Sequence, residues 1–129
     1  MKRLPIVFGP VLNVFAHVRA SAECRVKEFL DSLSAKDRAK LFKLFELMAN
    51  VGRIQDGTKF KRLDGDVWEF KVRGQDTGLR VTCYRSGNLL ILLSGFPKKE
   101  DEADPGEVSR AKRLMEEDRL MHSKNQQGD

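Results

Sequence analysis

The stretch that decides the fold runs from Lys59 to Lys99 and reads KFKRLDGDVWEFKVRGQDTGLRVTCYRSGNLLILLSGFPKK. Its strand-like runs are residues 67–73, 79–85 and 89–96. In the first run Trp68, Phe70 and Val72 alternate with polar residues, which is the two-residue period of a half-buried strand. The third run is apolar at nearly every position, as is typical of a central strand covered on both faces. Short glycine turns separate the runs, so we predict a small, mainly antiparallel sheet.

The same stretch holds all of the chain's excess positive charge. It contains nine Lys or Arg and four Asp or Glu residues, an excess that equals the formal net charge of +5 for the whole chain. The two-residue period places Arg73, Arg80 and Tyr84 on the face of the sheet that does not pack on a core. We therefore expect this face to bind a polyanion. The alternative is that basic side chains on an open face are only solvated.

The composition describes one globular domain of 129 residues, with 40% hydrophobic and 33% charged residues. We divide the chain into an irregular lead-in (1–10), a single domain (11–122) and a mobile tail (123–129). No apolar run approaches the ~20 residues of a membrane helix, and no signal peptide is recognised, so a cytoplasmic protein that does not bind membranes is expected. Cys24 and Cys83 lie far apart without CxxC spacing, so neither a metal nor a cofactor is predicted.

Two amphipathic helices are predicted before the sheet. The first covers residues 24–33, and the second begins after Ser34, which forms a capping box with Asp37, and ends at Gly52. Each helix has one apolar face, so together they form an αα-hairpin that packs on one face of the sheet. A strand over residues 11–18 precedes them.

A third helix is predicted after the sheet, from Pro105 to about His122, with Asp104 as its N-cap. Its apolar stripe is thin, so we expect this helix to lean on the edge of the sheet. The predicted fold class is α+β. His17 and Trp68 are interpreted as structural residues, and Cys83 as a small buried one.

A series of short motifs extends along most of the chain. In order, the motifs are EFLDSL at 28–33, LMANVG at 47–52, KRLDGDVWEFKVR at 61–73, RVTCY at 80–84, LLSGFPKK at 92–99 and P-x-E-x-x-x-A-x-R at 105–113. Together they resemble the HigB-like, phage-associated branch of the RelE/ParE superfamily of toxins from type II toxin–antitoxin systems. The lead-in before Val11 departs from the family, as does the absence of histidines near the motifs.

The resemblance implies a RelE-like fold and an endoribonuclease that cleaves mRNA, commonly on the ribosome. It also implies neutralisation by a cognate antitoxin, often a helix-turn-helix protein. The expected catalytic residues are Arg73, Arg80, Tyr84, Lys98 and Lys99. The expected RNA-binding residues are Lys59, Lys61, Arg62, Lys71 and Arg85.

Cleavage without a metal would use the RNA 2′-hydroxyl as nucleophile. Arg73 and Arg80 would hold the phosphate with their guanidinium groups. Lys98 or Lys99 would act as general base if neighbouring positive charges lower its pKa. Tyr84 would stack on a base or orient the leaving group, and the alternative is a core tyrosine with its hydroxyl hydrogen-bonded.

Two other classes of function stay open at this point. One is a ParE-like toxin that inhibits DNA gyrase by binding, against which Tyr84 and the paired lysines argue. The other is a non-catalytic domain of the same fold that binds RNA or an antitoxin.

Overall fold

The computed structural model describes residues 2–98 and 104–127, with side chains as far as residue 123. The elements in chain order are β1 (Leu4–Phe8), β2 (Asn13–Ala16), α1 (Arg25–Ser32), α2 (Ala35–Val51), β3 (Phe60–Asp64), β4 (Val67–Arg73), β5 (Gly78–Ser86), β6 (Leu89–Lys98) and α3 (Pro105–Gln127). The six strands form one sheet in the order β1-β2-β6-β5-β4-β3. In the described part of the chain, β2 and β6 pair in parallel and the other neighbouring strands pair antiparallel. The predicted α+β class is confirmed.

The helices cover both faces of the sheet. On one face α1 and α2 enclose the larger core, which includes Phe45, Phe70 and Cys83. Gly95 in β6 allows α1 to approach closely, because a Cβ atom at this position would lie 2.2 Å from the ring of Phe29. The glycine of the LLSGFPKK motif at 92–99 is therefore required for the packing of α1 on the sheet.

The ends of α2 follow the predicted signals. The Ser34 hydroxyl accepts a hydrogen bond from the Asp37 backbone N–H at 3.1 Å, and Gly52 ends the helix with a φ of 85°. The Asp37 carboxylate also accepts a hydrogen bond from the backbone N–H of Gln75 at 3.2 Å. The first turn of α2 thus holds the β4–β5 turn in place.

Both ends of the chain differ from the sequence-based expectation. The lead-in is not irregular, because residues 4–8 form β1, an edge strand in which Pro5 is tolerated. The helix α3 does not stop near His122 but continues to Gln127, so the expected mobile tail is helical up to that residue. Residues 128 and 129 lie outside the described part. An additional strand, β3, pairs with β4 at the other edge.

The third helix lies across the second face of the sheet, in contact with β4, β5 and β6, and not along the sheet edge. The apolar stripe of this helix is thin, but it is wide enough to form a second, smaller core with the sheet. Ala111, Leu114 and Met115 are buried against a strand surface. That surface consists of Val67, Tyr84, Ile91 and Leu93.

A buried carboxylate fixes α3 on the sheet. Asp118 is fully buried and accepts hydrogen bonds from Arg3 Nη2 at 2.7 Å and from the Tyr84 hydroxyl at 2.5 Å. His17 Nδ1 lies 2.9 Å from the same carboxylate, and His17 Nε2 lies 2.9 Å from Glu117. The side chain of Asp118 therefore connects α3 to β5, to Arg3 just before β1 and to His17 just after β2.

The charges in this cluster shift one another's proton affinity. Burial alone would raise the pKa of Asp118, but the hydrogen bonds from His17, Arg3 and Tyr84 hold it well below its usual value. Burial opposes protonation of His17, whereas Asp118 and Glu117 favour it more strongly, so the pKa of His17 is raised. Asp118 is thus ionised at neutral pH and His17 gains protons more readily than an ordinary histidine.

Replacing Asp118 by Asn should lower the free energy of unfolding by about 3–5 kcal/mol, since it leaves buried cations without their counter-ion. Urea titration of the two proteins measures this loss. Asp64→Asn is the matched control, because Asp64 also pairs with α3, through Lys112 at 3.0 Å, but both side chains are about half exposed. The control should cost less than about 1 kcal/mol, and equal losses would contradict the assigned role of Asp118.

The raised pKa of His17 predicts a pH-dependent contribution to stability. The protonated ring is favoured in the folded state, so its stabilisation is complete below about pH 6.5 and is lost as the pH rises through the higher folded-state pKa. The difference in unfolding free energy between the parent and His17→Gln should therefore shrink from acidic to alkaline pH. A difference that stays constant over this range would show that His17 does not titrate against Asp118.

Candidate functional site

The register of the sheet aligns charged residues on the face that carries α3. Directly paired residues of neighbouring strands share a face, so three rows of side chains form across β3 to β6. The rows are Lys61, Glu69 and Thr82; Lys71, Arg80 and Phe96; and Arg73, Gly78 and Lys98. Five cations are thus brought together beyond the part of the face that α3 buries.

A cleft of about 630 Å³ opens at this end of the sheet, between the strands and α2. Seven of its described lining residues are Lys or Arg, and none of them is Asp or Glu. The basic residues are Lys40, Lys43, Lys59, Lys71, Arg73, Arg80 and Lys98. We call this the basic cleft. Such a concentration of one charge in a concave surface attracts anions strongly.

Helix α2 supplies two of these cations, Lys40 and Lys43, which the sequence reasoning did not assign to the site. Lys40 also donates a hydrogen bond to the backbone carbonyl of Arg73 at 2.9 Å, which ties the helix to the end of β4. The i, i+4, i+7 spacing of Lys36, Lys40 and Lys43 was the available signal, since it places all three on one side of the helix.

Arg80 lies at the inner end of the basic cleft and is only 6% exposed. Its Nε atom is 3.5 Å from Oε1 of Glu69, a carboxylate that is equally buried. The two residues also line a small crevice that continues beneath α3, together with Lys61, Phe96, Lys98, Asp104, Glu107 and Val108. Glu69 was not among the predicted site residues.

Most of the predicted site residues converge. Lys59, Lys71, Arg73, Arg80 and Lys98 line the basic cleft, and Lys61 lines the adjoining crevice. Lys99 lies outside the described residues. Arg62 and Arg85 do not line the cleft, because they are paired with Trp68 and Leu90 and so belong to the opposite face of the sheet, on which the larger core packs. Their Nε atoms donate to the carbonyls of Gly65 at 2.7 Å and Gly87 at 3.1 Å.

The expectation that Tyr84 lies on the open part of the face is wrong. Tyr84 is 1% exposed, packs beneath α3 and donates its hydroxyl proton to Asp118. Burial and the neighbouring carboxylate raise the pKa of Tyr84, and the Arg119 guanidinium lies 5.1 Å from the ring centre. The sequence period correctly placed Tyr84 on the same face as Arg80. The expectation that Arg80 is open to solvent is also wrong, because this side chain is buried where the basic cleft meets the crevice beneath α3.

Within residues 2–98 and 104–127, no group of three or more His, Cys, Asp or Glu side chains is arranged to hold a metal ion. In the same part of the chain no helix has the length and apolar character needed to cross a bilayer. The chemistry that the basic cleft itself can supply is that of guanidinium and ammonium groups.

Comparison with known proteins assigns the family. Residues 28–116 match the family described as "Phage derived protein Gp49-like (DUF891)". This range contains every residue that lines the basic cleft. A search of curated proteins gave no match. From this match and the RelE-like arrangement of helices and sheet, the chain belongs to the Gp49-like phage-derived family, a RelE-like toxin family of toxin–antitoxin systems.

Proposed function

We propose that this protein is the toxin of a type II toxin–antitoxin system, from the HigB-like branch, and that it cleaves mRNA on the ribosome and so inhibits translation. The observation that supports this most strongly is the basic cleft, in which seven cations and no described carboxylate line one concave surface. A ribose-phosphate backbone carries one negative charge per nucleotide, and its neutralisation by Lys and Arg drives binding.

The shape of the site favours a bound single strand over a flat electrostatic contact. The cleft lies between the ends of β3 to β6 and the side of α2. A single strand of RNA bound in the cleft would therefore meet cations on both walls. Lys40 and Lys43 stand on the helical wall, and Lys71, Arg73 and Lys98 on the strand wall. Sequence preference would come from contacts to splayed bases, for which RNA single strands are suited.

The chemistry proposed is attack of the RNA 2′-hydroxyl on the adjacent phosphate, with departure of the 5′-oxygen. Arg73 and Arg80 would stabilise the negative charge that develops on the phosphorane, because a guanidinium group offers paired N–H donors. Lys98 is the proposed proton-transfer group, and Lys99 is retained as its alternative. The protein needs no nucleophilic side chain, since the substrate supplies its own.

The partners proposed are mRNA, the ribosome and a cognate antitoxin, for which a helix-turn-helix protein is the expected type. An antitoxin that covers the basic cleft would need acidic residues opposite its lysines and arginines. Tyr84, as an expected catalytic residue, was an argument for the nuclease over the gyrase inhibitor. Its burial removes that argument. The buried cation Arg80 at the head of the cleft still favours phosphate chemistry.

Brief induction of the protein in bacterial cells, followed by mapping of RNA 5′ ends, tests this function. The parent should create new ends within translated codons. Lys98→Gln should reduce cleavage by about 10²- to 10⁴-fold, since it removes a proton-transfer group, and Arg80→Lys by about 10²- to 10³-fold. Lys112→Gln makes the same change of charge on an exposed residue outside the cleft and should cleave like the parent.

Different results would count against the nuclease and against the site assignment. Growth arrest by the parent without new RNA ends would exclude mRNA cleavage, and accompanying gyrase-dependent DNA breaks would identify the gyrase inhibitor. Parent-like cleavage by both cleft variants would refute the site assignment.

The position of Tyr84 makes a separate prediction about the same assay. Tyr84→Phe removes a buried hydrogen bond to an ionised group and should cost about 1.5–3 kcal/mol of stability. Cleavage at a temperature where the variant is folded should equal that of the parent, because the hydroxyl contacts Asp118 and not the cleft. Loss of cleavage from a fully folded variant would restore Tyr84 to the catalytic set.

A further inference from the structure

The turn between β4 and β5 lies at the edge of the basic cleft. The two residues that flank the turn, Arg73 and Gly78, pair with each other and line the cleft. A hydrogen bond from the Gly74 backbone N–H to the Thr77 carbonyl, at 2.8 Å, closes the turn. The position of this turn relative to α2 therefore sets how far the strand wall of the cleft stands from the helical wall.

The sheet gives little support to this end of β4. On the β3 side, the last backbone hydrogen bond among the described residues runs from the Lys71 N–H to the Lys59 carbonyl, at 2.8 Å. Beyond it, Val72 and Arg73 pair with β5. A two-stranded ribbon is only marginally stable by itself. The end of β4 therefore needs a further attachment if Arg73 is to stay in one place.

Helix α2 provides that attachment through two side chains on successive turns. The Asp37 carboxylate accepts a hydrogen bond from the Gln75 backbone N–H, and both of its oxygens lie 3.2 Å from that nitrogen. One turn further, Lys40 Nζ donates to the Arg73 carbonyl at 2.9 Å. Asp37 is 8% exposed, whereas Lys40 lies in solvent. Because water competes less for a buried hydrogen bond, Asp37 makes the stronger of the two attachments.

The approach of Asp37 to the turn depends on a glycine. A Cβ atom at Gly74 would lie 3.0 Å from Oδ2 of Asp37 and 2.8 Å from the Thr77 carbonyl oxygen. Any larger residue at this position would push the turn away from the helix. The first turn of α2 and the β4–β5 turn therefore fit each other closely, as two parts of one attachment.

We propose that Asp37 is a positioning residue: by holding the β4–β5 turn on α2, it keeps Arg73 on the strand wall where its guanidinium contacts a phosphate of bound RNA. This inference rests on the proposed function and specifies how one wall of the site is kept in place for it. The Arg73 side chain is exposed, so the location of its backbone decides where it can reach. A misplacement of about 1 Å can cost about 10²-fold in rate.

The experiment measures the rate of cleavage of a short mRNA in a reconstituted translation reaction, at a temperature where unfolding curves show every variant to be folded. Asp37→Ala removes the acceptor for the Gln75 N–H and should lower the rate about 10- to 100-fold. Asp37→Asn keeps an oxygen that can accept this hydrogen bond and should recover most of the lost rate. A parent-like rate in Asp37→Ala would overturn the proposal.

Ser34→Ala is the matched control for a loss of stability. The Ser34 hydroxyl caps the same end of α2, but the hydrogen bond to the β4–β5 turn comes from Asp37. Ser34→Ala should therefore unfold at a lower urea concentration than the parent and still cleave at the parent rate. A rate loss as large as that of Asp37→Ala would show that a weakened helix end is sufficient, and would refute the positioning role.

The decisive comparison places Asp37→Ala in an Arg73→Gln background. If Asp37 acts through Arg73, Asp37→Ala should change the remaining rate by less than about twofold once the guanidinium is gone. The same loss with and without the Arg73 guanidinium would mean that Asp37 acts elsewhere, which contradicts the proposal.

Failure of the proposed function gives a different result. A parent protein that cleaves no RNA would refute the nuclease, and affinity for a 2′-O-methylated single-stranded RNA, which lacks the nucleophile, would then decide the role of Asp37. Affinity that Asp37→Ala weakens in the parent but not in Arg73→Gln would support the positioning role. Affinity weakened equally in both backgrounds, or in neither, would refute it.

Discussion

The buried carboxylate of Asp118 determines where α3 lies on the sheet. An unpaired charge at full burial costs several kcal/mol, so the helix is held where Arg3, His17 and Tyr84 can all reach that carboxylate. This position covers the part of the sheet face around Tyr84, and the start of the helix borders the crevice that Arg80 and Glu69 line.

The basic cleft itself is an electrostatically unfavourable arrangement in the absence of an anion. Several cations converge from three strands and one helix, and none of the described cleft-lining residues is acidic. Their mutual repulsion opposes the compact state, and a bound polyanion removes it. Glu69 is the nearest compensating group on the strands, but it is set below Arg80 and faces the crevice.

The sequence predicted which residues form strands and helix ends better than it predicted which part of the sheet each helix covers. The two-residue period of β4 and β5, the Ser34 cap and Gly52 are local signals, and each corresponds to an observed feature. The same period assigned Tyr84 and Arg80 to one face but contains no information about which part of that face a helix covers. Asp118 does continue the buried stripe of Ala111 and Met115 at helical spacing, so an acid within an apolar stripe was a usable sign of a buried ion pair. Its partners could not be inferred, since Arg3 lies in a segment that gave no strand signal.

The range that matches the family includes the basic cleft but not the residues that hold α3 on the sheet. All residues that line the basic cleft fall within the matched range 28–116, whereas Arg3, His17 and Asp118 lie outside it. The two regions are nevertheless joined by one helix, because Asp104, which directly precedes α3, and Glu107 and Val108 in its first turns line the crevice that contains Glu69. Asp104 and Asp118 are about 21 Å apart along the helix axis at a rise of about 1.5 Å per residue. The pairing at one end of α3 thus fixes the wall of the crevice at the other end, and residues outside the matched range contribute to the geometry of the crevice without lining it.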